Sequence, residues 1–235
     1  MAPKILIVVS SHEDWPAAGR QTGYWIGEVS HFCEVIEAAG FEYDIVSPQG
    51  GAPPMDGHSV RGFQSWDGGY GAYQRNPGLQ AKLEATLRPD QVRADDYLAI
   101  YYAGGHGAMW DFPGNEPLAE LTAAMYERGK VVAAVCHGVT GLLDVRLSDG
   151  SYLLAGRRVT GFANVEEKMM GLGSKVPFLT ESMMRERGGE YTRGLPFMSY
   201  VIVSERLVTG QNPRSTKAVA RKLVEVLSAQ AAQAA

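Results

Sequence analysis

Two segments of this 235-residue chain carry residue types able to do covalent chemistry. The first is Ala134-Val135-Cys136-His137-Gly138, at the end of an apolar run. Small residues two before and two after the cysteine suit a tight strand-to-helix elbow, which lifts a nucleophile above the sheet edge and turns the next N–H, that of His137, into an oxyanion donor. A helix starting there favours the thiolate and predicts a depressed thiol pKa. The second segment is Ala103-Gly104-Gly105-His106-Gly107, after another apolar run. If the two runs are neighbouring strands, Gly105 offers a second backbone N–H toward the thiol, since glycine lets a backbone come that close. His106 is then either a substrate-binding side chain or a hydrogen-bonded structural one. The Lys-Ser/Thr ending of a phosphate-binding loop is missing.

A third candidate is Glu28. Trp25 and Phe32 flank it at helical spacing, and a carboxyl hemmed by such rings is desolvated and holds its proton to higher pH. It could then hydrogen-bond a thiolate. A solvated surface glutamate is the competing reading. Cys33 falls on the apolar stripe of the same helix with Ile26, Val29 and Ile36, and reads as structural. The five histidines show no His-x-x-x-His spacing and the two cysteines no Cys-x-x-Cys, so no metal site and no cofactor are expected.

These residues need a scaffold. Apolar runs at 5–9, 43–46, 97–102, 131–135, 158–162 and 200–203 do not alternate with polar residues, which predicts strands buried on both faces. Helical patterns at 23–39, 79–87, 119–128, 178–186 and 216–227 lie between several of them. The alternation predicts an α/β fold with a doubly wound, mostly parallel sheet sandwiched by helices. Residues 47–78, rich in Gly, Pro, Asp and aromatics, read as an ordered loop or insertion, and the Ala/Gln-rich stretch 229–235 as a frayed tail. The whole, 1–235, reads as a single domain.

Composition narrows the function. With 22 Lys+Arg against 26 Asp+Glu, the net charge of −4 gives no basic footprint for nucleic acid or an anionic membrane. Two cysteines cannot make the disulfide framework of a small secreted domain. No leader or membrane-span pattern is visible, so a cytoplasmic location is expected.

Taken in order along the chain, several motifs resemble the ThiJ/PfpI superfamily, whose fold is flavodoxin-like and similar to class I glutamine amidotransferases. They are Thr22-Gly23 to Glu28, Ser47-Pro48-Gln49-Gly50-Gly51 with Pro54 and Asp56, the Gly104-Gly105-His106-Gly107 loop, Cys136-His137-Gly138, Thr160-Gly161-Phe162 through Glu167, and Leu207-Val208-Thr209-Gly210-Gln211-Asn212-Pro213. The branch it looks most similar to holds glutathione-independent glyoxalases (glyoxalase III) and heat-shock chaperones. The resemblance implies Cys136 as nucleophile, His137 as its triad partner, Glu28 as the carboxyl at the thiolate, and an acidic third member at Glu167, with Glu166 and Asn164 as alternatives. It implies a small 2-oxoaldehyde as substrate and a homodimer. Val139 departs from the pattern, standing where proline often follows Cys-His-Gly. A Cys-dependent amidase, peptidase or protein deglycase uses the same groups, and a holding chaperone or cysteine-oxidation sensor is the non-enzymatic alternative.

Overall fold

The computed structural model describes residues 3–61 and 68–234. Its centre is a six-stranded sheet in the order β4-β1-β5-β6-β10-β9, formed by β1 (Lys4–Val8), β4 (Glu42–Val46), β5 (Ala99–Tyr102), β6 (Val131–Val135), β9 (Val201–Ser204) and β10 (Leu207–Gly210). All neighbours pair parallel except β9, which runs antiparallel along β10 at the edge. Two short ladders lie outside it: β2 (Asp14–Trp15) with β3 (Arg20–Gln21), and β7 (Arg158–Val159) with β8 (Glu190–Tyr191).

The continuous apolar runs divide their side chains between two cores. Ile5, Ile7, Tyr101, Ala133 and Val135 face the layer that includes α1 (Ile26–Ala38), α3 (Pro77–Glu84) and α8 (Thr216–Ala234). Leu6, Val8, Tyr102, Val132 and Ala134 face α5 (Glu116–Glu127) and α7 (Thr180–Glu186). That period of two within wholly buried strands is what a parallel sheet covered on both faces requires. The remaining helices are α2 (Gly69–Gln74), α4 (Ala108–Asp111) and α6 (Asn164–Met169).

Two parts of the chain, 158–162 and the C-terminal stretch, differ from the sequence-based expectation, and the segment 47–78 gains helical detail. The run at 158–162 supplies only the two residues of β7, and the position beside β6 belongs to β10. Beyond Val159 the chain crosses the strand ends: the Thr160 N–H donates to Thr209 Oγ1 and that of Phe162 to the Cys136 carbonyl. The segment 47–78 contains α2 and the first residues of α3; Trp66 lies outside the described residues. The supposed tail continues α8 to Ala234, because alanine and glutamine are good helix formers and Gln230 Nε2 donates to the Gly129 carbonyl at 2.8 Å.

Where the sheet approaches the candidate site, backbone packs on backbone. A Cβ built on Gly138 would lie 2.3 Å from the Tyr102 carbonyl oxygen, and one on Gly104 would lie 2.8 Å from the His137 and Gly138 nitrogens. Strand β5 and the turn after β6 can therefore meet only through these glycines. Gly138→Ala is expected to lower stability by about 1–3 kcal/mol, because a backbone carbonyl cannot swing aside. Denaturant unfolding measures this; an unchanged midpoint would contradict the packing described.

Candidate functional site

At the carboxyl end of β6 the chain turns sharply into a 3₁₀ helix, Cys136–Leu142. Cys136 occupies the turn with φ of 57°, a left-handed conformation that costs a non-glycine residue about 1–2 kcal/mol. Thr140 Oγ1 holds the turn by donating to the Ala108 and His137 carbonyls. The elbow expected from small residues around Cys136 is present, with Val139 fully buried inside it.

Glu28 reaches the thiol from the first turn of α1. The Phe32 ring on α1 stacks on Tyr101 of β5 at 3.6 Å between centroids, and the Tyr101 hydroxyl donates to the Glu28 carbonyl. The Trp25 N–H donates to the Gly104 carbonyl, and the Gly104 N–H donates back to Glu28 Oε2 at 2.5 Å. Glu28 is wholly buried, and its carboxyl acts directly on the Cys136 thiol. Burial pushes the Cys136 thiol well up, the Glu28 charge adds to it, and the His137 N–H opposes it only in part. The depressed thiol pKa expected from a helix start is thus corrected: the positive end of the short 3₁₀ helix is outweighed by burial and a neighbouring carboxylate.

On the other side of the thiol, His137 Nδ1 lies 3.5 Å from Cys136 Sγ and His137 Nε2 lies 2.8 Å from Glu167 Oε2. His106 Nε2 lies 3.0 Å from the other oxygen, Glu167 Oε1. The two imidazoles pack together with centroids 4.2 Å apart, backed by Trp15 at 4.4 Å from His106 and by Phe162 at 4.4 Å from His137. Burial raises the Glu167 carboxyl, yet His137 and His106 more than compensate and hold it well below the usual carboxylate range. Burial, and then the His137 charge, push His106 down to about 4 against the pull of Glu167.

Among the three acidic or amide candidates at 164–167, only Glu167 touches His137. Glu166 turns away, accepting from the Ala163 and Phe197 N–H groups and from Asn212 Nδ2. Asn164 Nδ2 donates to Ser182 Oγ. The structure thus gathers Cys136, His137, Glu28, Glu167 and His106 at one place. Gly105 is in the adjacent turn with φ of 104°, folded flat against the backbone of residues 23–25, and its N–H donates to no acceptor among the described residues. Cys33 is buried in the core. Sequence reasoning missed Gly104, whose N–H binds Glu28, and Trp15, whose ring covers His106. Trp15 gives no signal in sequence, since it arrives on the short β2–β3 ladder.

His106, His137 and Glu167 also bring three ligand atoms within 4.8 Å of one another. Two imidazoles and a carboxylate suit a transition-metal ion, and spacing concealed the set because its members come from three separate segments, the turn after β5, the 3₁₀ helix after β6 and α6. Each Glu167 oxygen already faces an imidazole nitrogen, so a cation would have to displace the shared protons.

A doubly wound sheet with a strained cysteine at a strand end, an imidazole against its sulfur and a carboxylate behind that imidazole defines an α/β protein of the cysteine-elbow type. The chain belongs to the DJ-1/PfpI family, whose pattern matches residues 26–226. It is 32% identical to the glutathione-independent glyoxalase HSP31 of Saccharomyces cerevisiae, over 97% of this chain and 99% of that one. Among solved structures it resembles the Rapid Encystment Protein 24 KDa of Francisella tularensis, at 32% identity with a TM-score of 0.89, covering 96% of this chain and 99% of that one. Glyoxalase III of Candida albicans shares the fold at 24% identity and a TM-score of 0.81, covering 95% and 97% of the two chains.

The coupling between Glu28 and Cys136 makes a specific expectation for thiol reactivity. Two adjacent buried anions are disfavoured, so the pair retains one proton, and thiolate arises when that proton sits on Glu28. The alkylation rate of wild-type Cys136 is expected to flatten across neutral pH. In Glu28→Gln it is expected to climb about tenfold per pH unit up to the thiol pKa. Identical profiles would remove Glu28 from control of the thiol.

Proposed function

We propose that this protein is a glutathione-independent glyoxalase that converts methylglyoxal, or a related 2-oxoaldehyde, and water into a 2-hydroxy acid. The observation that carries this reading is the Cys136 thiol, set between a carboxyl that can hold its proton and an imidazole 3.5 Å away that is oriented by Glu167. The similarity to a named glyoxalase over nearly the full length of both chains supports it.

The chemistry follows from the groups present. Cys136 thiolate attacks the aldehyde carbon and forms a hemithioacetal, with its proton left on Glu28. The Gly105 and His137 N–H groups steady the developing oxyanion, which then takes the proton held by Glu28 and becomes the hemithioacetal hydroxyl. His137 Nδ1 removes the hydrogen from the aldehyde carbon, giving an enediolate, and returns a proton to the neighbouring carbon. The result is a lactoyl thioester on Cys136. Water adds to that thioester, and its collapse releases lactate and restores the thiol.

The enclosure favours a small substrate over a glycated protein. Cys136 is 4% exposed and His137 1%, so a folded protein's side chain has little access to the sulfur, whereas a three-carbon aldehyde can reach it. No helix among the described residues is long and apolar enough to cross a membrane. A cytoplasmic location and a homodimer complete the proposal.

Cys136→Ala is expected to reduce lactate formation from methylglyoxal, without glutathione, by at least about a thousandfold, the scale on which loss of a covalent nucleophile acts. Turnover equal to wild type would rule out the covalent route. Acyl-enzyme formation from amides, with none of this turnover from oxoaldehydes, would favour the amidase instead.

A further inference from the structure

His106 is placed like a second copy of His137. Both donate to Glu167, one to each oxygen, at 3.0 and 2.8 Å. Both are almost fully buried, at 5% and 1% exposure. An ionised carboxylate can only accept hydrogen bonds, so the proton of each ring in these contacts must lie on Nε2. That leaves the Nδ1 of each neutral ring as a lone-pair acceptor. The His137 Nδ1 faces the sulfur, whereas the His106 Nδ1 bonds to no described residue. A ring serving only to orient Glu167 would need Nε2 alone.

The proposed reaction has a need that one base does not meet. Converting CH₃–CO–CH(OH)–S to CH₃–CH(OH)–CO–S moves one hydrogen between carbons and a second between oxygens. We propose that His137 carries the carbon-bound proton and His106 the oxygen-bound proton, with Glu167 as the shared counter-charge; this rests on the glyoxalase reading above.

His137 Nδ1 takes the hydrogen from C1, the C–H pair becomes the C1–C2 double bond, and the carbonyl π pair moves to the C2 oxygen. The pocket then holds an enediolate and one imidazolium, His137. Next, His137 returns its proton to C2 while His106 Nδ1 takes the proton of the C1 hydroxyl, whose electron pair becomes the thioester carbonyl. His106 is now the imidazolium, and it delivers that proton to the C2 alkoxide. Between the first and the last proton transfer one ring, and never both, is charged, which matches one carboxylate. With centroids 4.2 Å apart, two charged rings would repel strongly.

The test uses His106→Asn and His106→Gln, whose amides can still donate to Glu167. Methylglyoxal turnover and the alkylation rate of Cys136 are followed in the same preparations. The proposal predicts that kcat falls by about a hundredfold or more, the usual scale for loss of a general acid–base, while alkylation stays within about twofold of wild type. Turnover within about twofold of wild type in either variant overturns it, as does a parallel fall in alkylation, which would make His106 a positioning residue for Glu167 and His137. If neither variant folds, wild-type kcat in mixtures of H₂O and D₂O decides: a bowed dependence supports two protons moving together, and a linear one overturns it. A wild-type protein that forms no lactate defeats the glyoxalase reading itself, a result distinct from an active wild type with indifferent His106 variants.

Discussion

The site depends on one buried carboxylate shared by two imidazoles. Glu167 could not stay ionised at 2% exposure without compensation, and the compensation comes from His106 and His137, one at each oxygen. In return, an acceptor-only carboxylate fixes both rings with their Nε2 protons directed at it. It thereby turns the His137 Nδ1 toward the sulfur. Neighbouring contacts serve that arrangement: Glu166 clamps the start of α6 to the Phe197 and Asn212 segments, so that the following residue is presented at one depth. Trp15 and Phe162 close the outer faces of the ring pair.

The opposite wall handles a proton rather than a charge. Glu28 and Cys136 are adjacent and buried, and a pair of anions there would be costly. The sheet supplies this proximity through the Phe32–Tyr101 stack and the Tyr101 bond to the Glu28 carbonyl. Glycines at 104 and 138 let the two loops touch. The strain of Cys136 at φ 57° is tolerated because Thr140 and the fully buried Val139 lock the turn behind it.

Much of this was legible in the chain itself. Cys136 and His137 stood out because an apolar run ending in small residues around a cysteine has few other uses, and Glu28 because aromatic neighbours at helical spacing foretell burial. The parallel sheet followed from apolar runs without alternation. The same criterion misplaced one strand, since 158–162 and 207–210 are both short and apolar, and local pattern does not say which of them pairs with β6. The choice of Glu167 over Glu166 was beyond the local pattern, because consecutive residues on a helix point about 100° apart and only the position of His137 selects between them. The raised thiol pKa was also hidden: it comes first from the burial of Cys136 and then from a carboxylate 108 positions away in sequence. His106 looked ambiguous for a similar reason, since its partner stands 61 positions further on.

The central claim is that Glu167 holds both rings by their Nε2 protons. Nitrogen-15 NMR of histidine-labelled protein at neutral pH reads this directly. The account predicts that His106 and His137 both carry a proton on Nε2, and that both signals change together in Glu167→Gln. A ring protonated on Nδ1 with a bare Nε2, or a Glu167→Gln spectrum in which only one ring responds, would contradict it.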